Sequence, residues 1–211
     1  RMLGGQLTSQ LVPVPDENAH IEKPNGPSTR QWRALRQTVR AHYAARPGVK
    51  PNFADNIGQC WVSRVSGTPD VWEKAIRERL APFVASGRIR HVLTRHQIRQ
   101  VGLYSGNGRF NWADLADLDT GRVTRVAAKT MIDATEDGAA MALAGMPLRL
   151  GQEARADFDE PHAPDVAHPE WVQSFTYCFL MRWTPDGASR VSVPPPAEYD
   201  VFQSFGEYTL D

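Results

Sequence analysis

Cysteine is nearly absent from this sequence, which has only Cys60 and Cys178 among its 211 residues. Two cysteines cannot form the disulfide framework of a small secreted domain, so we expect a reducing, cytoplasmic location. The apolar run of roughly 20 residues that a membrane-spanning helix requires is also missing, as is the apolar segment of a signal peptide. We therefore expect no membrane partner.

An excess of either charge is missing as well, because 24 lysines and arginines balance 24 aspartates and glutamates. Nucleic-acid-binding domains usually carry a clear basic excess, so no nucleic-acid partner is expected. The hydrophobic fraction of 41% and the charged fraction of 23% are those of an ordinary globular protein.

Several common catalytic motifs are absent too. The sequence contains no G-x-x-x-x-G-K-[ST], G-x-S-x-G, C-x-x-C or H-E-x-x-H, which excludes the simplest P-loop, hydrolase, zinc-finger and metalloprotease assignments. The six histidines are scattered, whereas metal ligands normally occur in tighter sets. We therefore expect no metal site.

Two helices are marked by clear start and stop signals. The first is expected from Ser28, with Ser28 or Thr29 as N-cap and Pro47-Gly48 after its end. The second is expected after the N-cap Thr68; Pro82 should end or kink it, and Gly87 is its expected C-terminal stop. The apolar face of the first helix consists of Trp32, Leu35, Val39 and Tyr43. The predicted buried stripe of the second helix consists of Trp72, Ile76, Leu80 and Phe83.

After Gly87 the hydrophobic period changes from helical to alternating, which indicates short strands. Glycine-containing turns at 105–108 and 119–121 predict that three of these strands form an antiparallel meander. A short helix to about Gly145 follows the strands. The predicted strands are Arg88–Leu93, then Gln97–Tyr104, Phe110–Leu118 and Arg122–Ala127 for the meander, then Lys129–Ala134 and Val172–Trp183.

Four arginines recur along the first helix. This stripe could hold phosphates, or it could be a solvated face opposite the apolar residues, and we favour the solvated face. The four are Arg30, Arg33, Arg36 and Arg40.

Two further segments have features of ligand-binding loops. Adjacent Gly4 and Gly5 would let backbone N–H groups approach a ligand closely, and the hydroxyls of Thr8 and Ser9 could donate to it. In the second segment, Met131–Gly138, an apolar strand is followed by a helix start, a place where α/β proteins often bind ligands.

The order of these segments resembles the FAD-dependent oxidoreductase family, whose flavin domain is like that of glutathione reductase and fumarate reductase. The resemblance covers essentially the whole chain. It implies an α/β fold: an incomplete FAD-binding, Rossmann-like domain over residues 1–148 with an inserted antiparallel β-meander, and the start of a second, α+β substrate domain over residues 149–211. Its most specific parts are Gly4–Ser9, Trp61–Arg64, Asp133–Gly138 and Glu160–Pro164.

The resemblance also implies site residues. The double glycine would lie along the FAD pyrophosphate and reach the flavin ring, and the second segment would close over the diphosphate and ribose. For Arg64 and His162 two interpretations stay open: contact with a polar small-molecule substrate, or a surface salt bridge and a loop histidine. The implied FAD-binding residues are Gly4, Gly5, Gln6, Thr8, Ser9, Ala134, Thr135, Asp137 and Gly138.

The sequence departs from the family pattern in two ways. The first strand, the G-x-G-x-x-G turn and the second strand would precede Arg1, so we expect a fragment whose FAD site is incomplete in this chain alone. The exposed sheet edge would then be covered by a partner chain or a second copy. Glu136 also stands where family members commonly have glycine, so its carboxylate would face the phosphates unless it points away.

The function predicted from the resemblance is flavin-mediated hydride transfer on an unidentified small molecule. The alternatives are a non-catalytic remnant or interaction module that does not bind flavin, and a regulatory subunit that completes its sheet with another chain.

Overall fold

The structure is a computed structural model that describes residues 2–23, 26–48, 56–105, 108–174, 176–181 and 194–195. The chain divides into two units, Arg1–Cys178 and Phe179–Asp211. All helices and strands named below lie in the first unit. The predicted domain boundary after residue 148 stays a prediction.

Helices α1 (Arg30–Ala44) and α2 (Pro69–Ala85) confirm the predicted start signals. The Thr29 hydroxyl accepts a hydrogen bond from the Trp32 amide at 3.1 Å, which satisfies one of the free N–H groups of the first turn of α1. Pro69 occupies the first turn of α2, where its missing N–H costs nothing.

The main core lies where α1 and α2 meet. Trp72 is fully buried, and its ring is parallel to that of Trp32 with 6.1 Å between centroids. The other residues buried there are Val39, Val65, Val71 and Ala75, against which Leu7, Leu35 and Tyr43 also pack. The expected apolar face of α1 is therefore confirmed.

The predicted stripe of α2 is correct only in part. Val71, Trp72 and Ala75 are buried, whereas Ile76 and Leu80 are half-buried and Phe83 is 44% exposed. The buried face begins one residue earlier than predicted, and residues 81–85 at the end of the helix are exposed. Pro82 lies inside the helix, which ends at Ala85.

The β-meander is confirmed, with strands β1 (His96–Leu103), β2 (Phe110–Asp117) and β3 (Val123–Ala127) in the order β1-β2-β3. Both pairs are antiparallel, with Val101 opposite Ala113 and Ala113 opposite Val126. Gly121 has a φ of 72° in the second turn, a value that favours glycine.

Three other predicted strands are wrong within the described residues. The segments 88–93, 129–134, 172–174 and 176–181 belong to no strand; residue 175 and residues 182–183 lie outside the described part. Alternating apolar residues become a strand only when a neighbouring strand accepts their backbone hydrogen bonds. None of the described strands pairs with these segments.

The remaining described elements are two short α-helices, α3 (Ala139–Leu143) and α4 (Arg155–Phe158), and two 3-10 helices, Gly5–Leu7 and Ala19–Glu22. The fold thus combines helices with a three-stranded antiparallel sheet, in agreement with the expected mixture of α and β elements. Among the described residues, no helix is both long enough and apolar enough to cross a membrane.

Candidate cofactor site

The two predicted ligand-binding segments, Gly4–Ser9 and Asp133–Gly138, meet at one cavity of about 760 Å³. Gly4, Gly5 and Gln6 line it from one side, and Ala134 and Glu136 line it from the other. Binding sites for small molecules usually have volumes of about 300–1,000 Å³. The lining residues outside the two segments are Val12, Val14, Pro15, Asp16 and Trp32.

The double glycine forms a tight turn that only glycine fits well. Gly4 and Gly5 have φ values of 116° and 53°, in the region that residues with a Cβ rarely adopt. A Cβ on Gly4 would lie 2.8 Å from Ile76 Cδ1 and 2.9 Å from Thr8 Cγ2. A Cβ on Gly5 would have only the Glu136 Oε1 nearby, at 3.6 Å. Gly4 therefore packs against α2, and Gly5 faces Glu136.

The two hydroxyl residues after the turn differ from each other in burial. Thr8 is fully buried, and its hydroxyl lies 3.4 Å from the Gly5 carbonyl oxygen. Ser9 is exposed and lies outside the cavity lining. Thr8 thus supports the turn from beneath, and contacts of either hydroxyl with a cofactor stay predictions.

The second segment is organised by Asp133. Its Oδ1 accepts hydrogen bonds from the Thr135 hydroxyl at 2.7 Å and the Thr135 amide at 2.9 Å, and its Oδ2 accepts from the amides of Ala140 and Met141 at 3.0 and 3.1 Å. These bonds, the Thr135 hydroxyl first, lower the pKa of the Asp133 carboxyl below its ordinary value. The start of α3 is therefore capped by the chain's own carboxylate.

The predicted residues next to this cap have structural partners. The Ala139 amide donates to the Thr135 hydroxyl at 3.0 Å and to Asp137 Oδ1 at 3.1 Å. Gly138 has a φ of 64°, which allows the sharp entry into α3. Of the four predicted residues in this segment, Ala134 alone lines the cavity, and cofactor contacts of Thr135, Asp137 and Gly138 stay predictions.

Glu136 connects the two segments across 126 residues of sequence. Its Oε1 accepts a hydrogen bond from Gln10 Nε2 at 3.1 Å. Its Oε2 has no hydrogen-bond partner among the described residues. The side chain is exposed and lines the cavity, so one carboxylate oxygen is free to meet a ligand.

The electrostatic character of the cavity is acidic and apolar. Asp16 and Glu136 line it, and no lysine or arginine is found among the lining residues that the structure describes. Leu7, Val12 and Trp32 supply apolar surface. Trp32 is fixed because its indole N–H donates to Glu17 Oε1 at 2.7 Å. Sequence analysis missed Asp16 and Trp32 as cavity residues, because their place depends on how residues 12–17 lie against α1.

The arginine stripe of α1 is only in part the solvated face that we expected: Arg30 is exposed, whereas Arg33 and Arg40 are half-buried and Arg36 is buried. Arg36 is only 3% exposed and forms ion pairs with Glu17 and Glu22, and Arg40 also pairs with Glu22. The expectation failed because these acidic partners come from the segment before the helix. The paired arginines stabilise that segment, which contributes Val14 and Asp16 to the cavity.

The two predicted substrate residues lie elsewhere. Arg64 and His162 are exposed, and neither lines this cavity. Their contact with a substrate therefore stays a prediction. Within the described residues, no three His, Cys, Asp or Glu side chains are grouped as metal ligands would be.

A comparison with protein families gives one match, to the model described as FAD dependent oxidoreductase, over residues 1–204. Searches among curated proteins and among solved structures find no match. The family match confirms the resemblance inferred from the glycine-rich turn and the Asp133–Gly138 segment. Because it spans nearly all of the sequence, the chain belongs to the FAD dependent oxidoreductase family, whose cofactor is FAD.

Proposed function

We propose that this chain contributes the flavin-binding site of an FAD-dependent oxidoreductase that acts on a small molecule, and that the cavity between Gly4–Leu7 and Ala134–Glu136 receives the cofactor. The observation that carries the proposal is the meeting of these two segments at one cavity. They are far apart in the sequence, and each has the sequence features of a ligand-binding loop.

The residues of the cavity fit part of this cofactor well. FAD has an uncharged ring system at one end and a diphosphate further along. The Gly5 backbone presents no side chain toward the cavity, and Leu7, Val12 and Trp32 provide apolar walls. An apolar, partly aromatic cavity with a few polar groups suits a planar ring.

Each wall of the site has a distinct role in this proposal. The Gly4–Leu7 turn would bind one face of the ring and exclude water from it. Gln10 and Glu136 would fix the distance between the two walls through their 3.1 Å hydrogen bond. Bound FAD supplies the hydride or electron transfer, and the protein supplies binding, orientation and electrostatics. Substrate contacts by Arg64 and His162 are part of the proposal.

We propose that residues 1–148 form part of a Rossmann-like FAD-binding domain and that the substrate domain begins after residue 148. The helices and the antiparallel meander support this assignment.

The test is a titration of the purified 211-residue chain with FAD up to about 1 mM. The quenching of flavin fluorescence reports binding. We expect saturable binding. The Gly5→Val substitution should weaken it about tenfold or more, because the new side chain enters the cavity beside Glu136 Oε1.

A matched control is Gly87→Val. Gly87 has a similarly positive φ of 71° and has no atom within 4 Å of the position of a Cβ, so the substitution imposes comparable backbone strain outside the cavity. Equal loss of FAD binding in both variants would contradict the placement of the site. No binding by the wild-type chain would contradict the proposed function and would favour the non-catalytic interaction module.

A further inference from the structure

The cavity carries negative charge where Glu136 faces the glycine turn. Glu136 Oε1 lies 3.6 Å from the place of a Cβ on Gly5, and Gln10 holds that oxygen at 3.1 Å. Asp16 lines the same cavity, and the described lining residues include no lysine or arginine. A phosphate placed there would meet the Glu136 carboxylate at short range, with no described lysine or arginine in the lining to compensate its charge.

The second oxygen of Glu136 can serve a different kind of ligand group. Oε2 has no partner among the described residues, and an ionised carboxylate only accepts hydrogen bonds. It therefore favours a group that brings N–H or O–H donors. The ring end of a flavin and the polyol attached to it carry such donors, and they carry no charge.

We infer that Glu136 is a specificity-determining residue, which admits the uncharged, donor-bearing end of a flavin to this cavity and disfavours a phosphate. The inference rests on the proposed function, since it assigns one end of the cofactor to the cavity. Gln10 is a positioning residue, because its amide fixes the carboxylate over Gly5.

The magnitude follows from simple electrostatics. Two unit charges about 4 Å apart repel by an amount equivalent to about fivefold in affinity in bulk water, and by more in a less polar site. Salt screens such repulsion when the charges are exposed. The selection against phosphate should therefore be strongest at low ionic strength.

The experiment measures the dissociation constants of two probes, riboflavin and ADP, for the wild-type chain and for Glu136→Gln. Glutamine removes the charge and keeps an oxygen that can accept from Gln10. We expect ADP to bind the variant about fivefold or more tightly at low salt and riboflavin to change less than about twofold. The ADP difference should shrink at about 0.5 M salt.

The control is Glu78→Gln, which makes the same change in net charge at a position that is 52% exposed on α2. It should leave both dissociation constants unchanged. Matching thermal unfolding curves for the variants establish that each is folded.

Two negative results have different meanings. If ADP binds Glu136→Gln no more tightly than wild type, including no detectable binding to either, the inference is overturned while the proposed function stands. If the wild-type chain binds neither riboflavin nor FAD, the proposed function fails and the inference fails with it.

Discussion

The guanidinium of Arg36 lies 3.0 Å from the Glu17 carboxylate, and both side chains are at least 94% buried. Glu17 also accepts hydrogen bonds from the Trp32 indole at 2.7 Å and the Ser63 hydroxyl at 2.9 Å. One carboxylate thus ties helix α1 to two loops. Because buried charges are tolerated only when they are paired and hydrogen-bonded, this group should be critical for stability.

Replacing Glu17 with alanine should lower the free energy of unfolding by about 3–5 kcal/mol, since the buried charge of Arg36 would lose its buried partner and keep only the half-buried Glu22. Urea unfolding measures this change. The exposed Glu78→Ala on α2 serves as the control and should cost less than about 0.5 kcal/mol. A similar small cost at both positions would show that the ion pair contributes little.

Gly102 on β1 lies directly beneath the Trp112 ring on β2. A Cβ at Gly102 would be 2.1 Å from Trp112 Cε2. The Arg125 guanidinium covers the same ring at 3.5 Å from its centroid and binds both oxygens of Asp114 at 2.8 Å. The glycine is therefore required by the side chain across the strand pair.

The Gly102→Ala substitution should destabilise the chain by about 1–3 kcal/mol, because the added methyl group must displace the Trp112 ring. In a Trp112→Ala background the same substitution should cost less than about 0.5 kcal/mol, because the obstructing ring is gone. Thermal or urea unfolding of the four proteins measures the coupling. Additive costs would contradict the proposed steric cause.

Local signals in the sequence were sufficient for the helices and the meander. Thr29 and Thr68 precede α1 and α2, and glycine-containing turns join the three strands. The segments 88–93 and 129–134 carry the same apolar alternation, yet they form no strand. Their state depends on pairing with a distant segment, which a local pattern does not specify.

For the candidate site, the two loop segments could be predicted from the sequence, but the hydrogen bonds and ion pairs that hold them could not. Gly5 and Ala134 were expected and do line the cavity. The hydrogen bond between Gln10 and Glu136 joins residues 126 positions apart, and the burial of Arg36 depends on Glu17 and Glu22. Such long-range pairings have no periodicity and were not predictable from one sequence.

The half-buried position of Ile76 lowers the expected cost of truncating it. Replacing a fully buried isoleucine with alanine lowers the free energy of unfolding by about 2–5 kcal/mol. For Ile76→Ala we expect a decrease of about 1–2 kcal/mol. Arg77→Ala, whose side chain is 52% exposed and pairs with Glu73, should cost less than about 0.5 kcal/mol. Equal unfolding free energies for the two variants would mean that Ile76 is no more buried than Arg77, in contradiction to the position of α2 described above.

Asp133 should give the stability of the chain a measurable pH dependence. The Thr135 hydroxyl and three backbone amides bind its carboxylate and lower its pKa from the ordinary value of 3.8. The folded state therefore holds fewer protons on this group than the unfolded state does at the same acidic pH. The stabilisation is fully present well above pH 3.8 and is lost as the pH falls through the pKa of the folded state.

The Asp133→Asn substitution should remove this pH dependence, because asparagine does not titrate and cannot give the Thr135 and Met141 groups a charged acceptor. We expect the variant to be less stable than wild type at neutral pH, and the difference to shrink as the pH falls below 3.8. Urea unfolding at a series of pH values measures both effects. The control is Asp165→Asn, whose side chain is 86% exposed; it should leave the profile close to that of wild type. A difference between Asp133→Asn and wild type that stays constant across the acidic range would contradict the prediction, because it would mean that protonation of Asp133 does not change the stability of the chain.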